Sequence, residues 1–131
     1  MNLFQLKKPK LNSGEDSEFK IECEALTDGD WNSISFLLSE KLPNFKRAIG
    51  VPRGGNILAE KMSEYATDKD SLPTLICDDV LTTSGSMSRF RTILETTDSY
   101  GGSRYSNDKI IGAVAFSRGK CPQWITPLLR M

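Results

Sequence analysis

Histidine is absent from all 131 residues of the sequence. That absence removes the Ser-His-Asp and Cys-His nucleophiles and every histidine zinc site, each of which needs an imidazole. Proton transfer is left to carboxylates, lysines or the substrate itself. Cysteine is scarce: Cys23, Cys77 and Cys121 are odd in number, far apart and form no CxxC pair. A disulfide framework or zinc ribbon is therefore not expected, and Cys23 and Cys77 read as small core residues. Charge of either sign is not in excess, since 17 Lys plus Arg balance 17 Asp plus Glu. No global field draws in nucleic acid or an acidic membrane, so any bound anion must be held by local geometry. Long apolar runs are missing too, and none approaches the roughly 20 residues that span a bilayer. The opening MNLFQLKKPK carries no apolar signal core, so the expectation is a cytoplasmic protein with neither membrane nor nucleic-acid partners.

What is present looks like an ordinary globular chain, with 38% hydrophobic and 26% charged residues. The length suits one domain over residues 1–131. Residues 1–17 are polar and turn-rich, with Pro9, Asn12, Ser13 and Gly14 close together. Phe19, Ile21, Cys23 and Ala25 then alternate with Lys20, Glu22 and Glu24, a period of two that predicts a strand. Thr27 can cap a helix with Asp30 in its first turn, and Trp31, Ile34, Leu37, Leu38 and Leu42 follow at helical spacing up to Pro43. Phe45–Val51 is a short strand breaking into VPRGG. Asn56–Ala66 predicts a second helix, with Ile57, Leu58, Met62 and Tyr65 on or near one face. Pro73 opens TLIC, a buried strand expected to end at Asp78-Asp79. Met87, Phe90, Ile93 and Leu94 mark a third helix. Ile110–Phe116 is expected as the last strand, before the loop SRGKCP and the tail QWITPLLRM.

Alternating strands and helices predict an α/β fold: a mainly parallel, twisted sheet with helices on both faces. In such sheets ligands collect outside the carboxyl ends of the strands. VPRGG, DDVLTTSGS and SRGKCP all fall at those ends.

The stretch LICDDVLTTSGS joins two chemistries. Thr82, Thr83, Ser84, Gly85 and Ser86 lie where a strand turns into a helix, whose first turn offers backbone N–H groups and partial positive charge to a phosphate. Gly85 permits close backbone approach, and the hydroxyls add donors. Asp78 and Asp79 would repel that phosphate, so they suit a different part of the ligand. Carboxylates accept from sugar hydroxyls, stabilise positive charge at an anomeric carbon, or hold water on Mg²⁺. Successive strand residues face opposite ways, which gives the two acids different tasks. The plain alternative is a helix cap beside a solvated strand end. Capping needs only one hydroxyl, however, and two acids at a buried strand cost desolvation without partners.

LICDDVLTTSGS resembles the phosphoribosyl diphosphate (PRPP) signature of type I phosphoribosyltransferases, a match nearly complete over Leu75–Ser86. The resemblance implies that Asp78 and Asp79 face the ribose hydroxyls and a Mg²⁺ held through water, and that Thr82–Ser86 wrap the 5′-phosphate. GVPRGGNILAEKM is similar to the family's diphosphate loop, giving Pro52, Arg53, Gly54 and Gly55 to the diphosphate and setting Arg53 beside the two acids as catalytic. LNSGEDSEFKIECEAL resembles the N-terminal hood of orotate phosphoribosyltransferases through Ser13, Gly14 and Ser17. Asn12 stands where that family has lysine, and Lys20 is a candidate to replace the charge. Ser117 and Arg118, in a loop similar to the one after the family's last core strand, are expected near the base or diphosphate. Trp124 either stacks on a base or pins the tail to the core. A small hood from the two termini, a homodimer, and transfer of 5-phosphoribose from PRPP to a base with release of diphosphate are further implications.

Two departures bear on activity. Only TDKDSLP separates the second helix from TLIC, too short for the lid and strand pair of orotate enzymes, although Lys69 is present. Thr82 stands where 6-oxopurine enzymes carry an aspartate, which favours a pyrimidine or orotate-like acceptor. A PRPP- or nucleotide-binding sensor without turnover is the second reading. A receiver domain fits poorly, because the acidic pair follows earlier strands and Phe116-Ser117 ends the last one without an acid. A P-loop is excluded by the lack of Gly-Lys-Ser/Thr.

Overall fold

The computed structural model describes residues 4–6, 19–21, 25–82, 85–96 and 109–130. Near the N-terminus, β1 (Phe4–Leu6) and β2 (Phe19–Ile21) pair antiparallel as a separate two-stranded sheet. Among the described residues the main sheet has four strands in the order β3 (Arg47–Gly50), β4 (Thr74–Leu81), β5 (Ile110–Ser117) and β6 (Ile125–Arg130). Every neighbouring pair in it is parallel.

Helix α1 (Asp28–Lys41) begins with a reciprocal cap: Thr27 Oγ1 accepts from the Asp30 N–H at 3.1 Å, and Asp30 Oδ2 accepts from the Thr27 N–H at 2.8 Å. Its buried face is Trp31, Ile34, Ser35 and Leu38. Leu37, expected on that face, is 49% exposed. Helix α2 (Asn56–Met62) buries Leu58, Ala59 and Met62 and continues as a 3₁₀ turn, Ser63–Tyr65. Ile57 and Tyr65 point outward, because the sheet covers only one arc of so short a helix. Helix α3 (Gly85–Thr96) buries Met87, Phe90 and Leu94.

The core has two layers. Helices α1 and α2 pack on one face of the sheet against Leu75, Cys77, Ala113 and Ala115. On the other face α3 packs against Ile76, Ile110, Val114 and Ile125. Trp124 belongs to that second layer, with the Arg91 guanidinium 4.8 Å above its ring, so it pins the tail as the second of the two expectations held.

Two strand boundaries differ from the sequence reading. Strand β4 does not end at Asp78-Asp79 but runs to Leu81, with Val80 opposite Phe116 and Leu81 opposite Ser117. The tail is a further strand, β6, rather than an appendage after the last one. Pro127 concealed it, because proline cannot donate to a ladder and reads as a break. At a sheet edge the missing donor costs nothing.

Candidate functional site

Three turns leave the carboxyl ends of the parallel strands, as the topology requires. The first, residues 51–55, joins β3 to α2. It is closed by the Val51 N–H to the Cys77 carbonyl (2.9 Å), the Gly55 N–H to the Val51 carbonyl (2.9 Å) and the Asn56 N–H to the Arg53 carbonyl (3.2 Å). The Pro52–Arg53 peptide is cis. Pro52, Arg53 and Gly54 are exposed, whereas Gly55 is buried. A Cβ on Gly55 would lie 2.1 Å from the Cys77 carbonyl oxygen, so only glycine lets this turn sit on β4. Gly50 is fixed similarly, since a Cβ there would meet the Gly55 carbonyl at 2.6 Å. Sequence reasoning passed over Gly50, although it stands next to the loop's own glycines.

Strand β4 carries the acids beneath that turn. A Cβ on Gly54 would lie 2.9 Å from both carboxylate oxygens of Asp79, so Asp79 rests directly against the Arg53–Gly54 turn. Asp79 Oδ1 accepts from the Val80 N–H at 2.7 Å, and Asp78 Oδ1 accepts from the Asp79 N–H at 2.9 Å. These bonds explain how two carboxylates stay inside a strand without breaking it. Alternation sets Asp78 on the opposite side from Asp79. Burial, with the neighbouring Asp79 carboxylate, pushes Asp78 up to about 7. A half-buried acid so close to neutrality is unusual outside a binding or catalytic site.

Beyond the acids, β4 delivers Thr82, which is exposed, and α3 opens with the exposed Gly85 and Ser86. Thr83 and Ser84 lie outside the described residues. The third turn starts at Ser117, opposite Leu81, where the Arg118 N–H donates to the Leu81 carbonyl at 2.9 Å. Ser117 is fully buried and its hydroxyl donates to the Gly119 carbonyl at 3.3 Å. Arg118 is exposed. Pro52 to Gly55, Asp78, Asp79, Thr82, Gly85, Ser86, Ser117 and Arg118 thus gather at one end of the sheet. Lys20 falls in β2, while Ser13 and Gly14 lie outside the described residues.

The short segment TDKDSLP, which stands where orotate enzymes have their lid, lies away from this end of the sheet. Residues 66–73 turn tightly and bind the start of β3, through the Thr67 N–H to the Phe45 carbonyl and the Lys46 N–H to the Pro73 carbonyl (both 2.8 Å). This places Lys69 at the amino end of the sheet, opposite the acids.

The acid pair suits a hard cation of modest demand. Among the described residues no cluster of three or more acidic, cysteine or histidine ligands occurs. Two carboxylates beside a turn with an exposed arginine fit Mg²⁺ held through water, a cation that takes few protein ligands.

No protein-family model and no curated protein sequence matches the chain. Among solved structures, an orotate phosphoribosyltransferase from Aeropyrum pernix is similar at a TM-score of 0.69 and 19% identity, over 98% of this chain and 88% of that one. A xanthine-guanine-hypoxanthine phosphoribosyltransferase from Helicobacter pylori overlaps at a TM-score of 0.48 and 17% identity, over 76% of this chain and 83% of that one. The first likeness shows the fold: the parallel α/β arrangement observed here is the one that the alternation of strands and helices predicted. No described helix is long and apolar enough to cross a membrane.

Proposed function

We propose that the chain is a PRPP-dependent phosphoribosyltransferase that passes 5-phosphoribose to a nitrogenous base, pyrimidine- or orotate-like, and releases diphosphate. The observation that carries this reading is the contact of Asp79 with the Arg53–Gly54 turn, on the strand that precedes Thr82 and α3 in the chain. Acids suited to a sugar therefore stand between two turns suited to anions.

In this reading Thr82–Ser86 and the first turn of α3 hold the 5′-phosphate. Asp78 and Asp79 accept from the ribose hydroxyls, and Mg²⁺ would sit on their water side and on the diphosphate, neutralising charge on the leaving group. The Arg53 guanidinium and the main chain of Pro52, Gly54 and Gly55 bind diphosphate oxygens. As the base nitrogen bonds to C1′ and the C1′–oxygen bond to diphosphate breaks, positive charge spreads over the ring. The acid pair stabilises that charge. An acceptor that carries its own nitrogen anion needs no general base, in keeping with a chain that lacks histidine. Ser13, Gly14, Lys20, Ser117 and Arg118 are assigned to the base side, and the protein acts as a cytoplasmic homodimer.

A second reading, PRPP binding without turnover, is favoured by the tight tether of residues 66–73 to the amino end of the sheet. Calorimetric titration with PRPP and Mg²⁺, alongside a diphosphate-release assay over a panel of bases, separates the two. Binding with release supports the transferase, binding without release supports the sensor, and no binding rejects both.

A further inference from the structure

Against β6, at the edge of the sheet and two strands from the acids, lies a cavity of about 530 Å³. That volume falls within the usual range of small-molecule sites. Its lining brings together Lys41, from the last turn of α1, and Arg130, near the end of β6, and includes no aspartate or glutamate. Neither cation has an ion-pair partner among the described residues. Gln123 and Thr126 add hydrogen-bonding groups, while Pro127 and Leu128 supply apolar surface.

The backbone of β6 narrows the choice of occupant. Trp124 turns its carbonyl to the Gly112 N–H of β5 at 2.7 Å, so Ile125 and Pro127 turn their backbone groups outward. The outward N–H of Ile125 donates back to the Pro122 carbonyl at 3.0 Å. Its outward carbonyl accepts from Cys121 Sγ at 3.4 Å. Pro127 has no N–H to offer. An added strand or extended peptide would therefore find this stretch of edge already closed. A small molecule needs no ladder, and two cations without an ion-pair partner among the described residues, in a lining that holds no acid, select a negative one.

We propose that this cavity is a binding site for a small organic anion, a phosphate or carboxylate on an apolar body, held by Lys41 and Arg130. A bare inorganic ion would leave most of the 530 Å³ unfilled. The site uses none of the residues assigned to the transfer reaction, so it stands or falls separately.

Amide-resolved NMR titration of the full chain tests it, with phenyl phosphate, benzoate and inorganic phosphate as probes. Phenyl phosphate or benzoate should shift the amides of Lys41, Gln123, Thr126 and Arg130, the stronger of the two telling phosphate from carboxylate. Inorganic phosphate should bind at least tenfold more weakly. The Lys41→Ala/Arg130→Ala double variant should weaken the organic probe at least tenfold, and Lys41→Glu alone should do the same should the double variant not fold. Shifts confined to the surroundings of Asp78 and Thr82, or an affinity unchanged in these variants, would overturn the proposal.

Discussion

Asp78 makes stability depend on pH in a direction opposite to that of most surface carboxylates. Its carboxyl is raised from 3.8 to about 7 by burial and by the Asp79 carboxylate. The folded protein therefore holds a proton that the unfolded chain has lost across that window. The stabilisation is complete below pH 3.8 and disappears as the pH rises through 7. The difference, 7 − 3.8, is about three pH units, which at 1.36 kcal/mol each sets a ceiling of about 4 kcal/mol. The side chain is only half-buried, so water screens a large part of this, and roughly 2 kcal/mol is the working figure. Asp78→Asn keeps the shape and can still accept from the Asp79 N–H, now 2.9 Å from Asp78 Oδ1, but never ionises. In metal-free buffer the variant should match the parent in urea unfolding at pH 3, where Asp78 is protonated in both the folded and the unfolded chain. At pH 8 it should be about 2 kcal/mol more stable, worth about 6–10 °C in Tm for a domain this size. Added Mg²⁺ and PRPP should narrow the gap, because the cation favours the ionised Asp78 carboxylate, which the variant lacks. A difference that stays flat between pH 3 and 8, or a variant less stable at pH 8, would show that Asp78 is not held protonated by its surroundings.

Gly55→Ala should cost about 2–4 kcal/mol in urea unfolding, because the new methyl meets the Cys77 carbonyl and Val51 backbone, which cannot rotate away. Gly54→Ala meets first the Asp79 carboxylate, the end of a side chain that can shift more readily than backbone, so Tm should fall less than for Gly55→Ala while calorimetry shows PRPP–Mg²⁺ affinity falling at least tenfold. Thr27→Ala removes the reciprocal cap of α1 and should lower unfolding free energy by about 1 kcal/mol. Arg91→Ala removes the cation over Trp124 and should cost about 0.5–1 kcal/mol, with a change in tryptophan fluorescence that leaves PRPP affinity unmoved.

Much of the fold was legible because parallel strands are apolar throughout: TLIC and IIGAVAF announce themselves, and each is followed by a polar turn. Helical spacing found α1, α2 and α3 but did not say which apolar side chains would be covered. Leu37 and Ile57, exposed at 49% and 51%, satisfy the period yet fall off the arc that meets the sheet. The strand end at Asp78 was misplaced for a local reason. Each acid accepts the N–H of the next residue, so β4 absorbs two charges that composition alone marks as a loop. Strand β6 was hidden by Pro127, whose lack of a donor matters only in a sheet interior. The site was legible as a set of turns, since parallel topology brings all carboxyl ends together. That Asp79 would lie on Gly54, and Asp78 beside it near neutrality, follows from packing between elements and leaves no mark in the spacing.

The central claim is that a single crevice holds a phosphorylated sugar by its phosphate and by its ring at once. A crystal structure of the protein soaked with PRPP and Mg²⁺ tests it most directly. The account predicts the 5′-phosphate against Thr82 to Ser86 and the first turn of α3, with the ribose hydroxyls at Asp78 and Asp79 and the diphosphate at Arg53 to Gly55. Ligand density seated elsewhere on the protein, or both acids left without contact to a bound sugar, would contradict it.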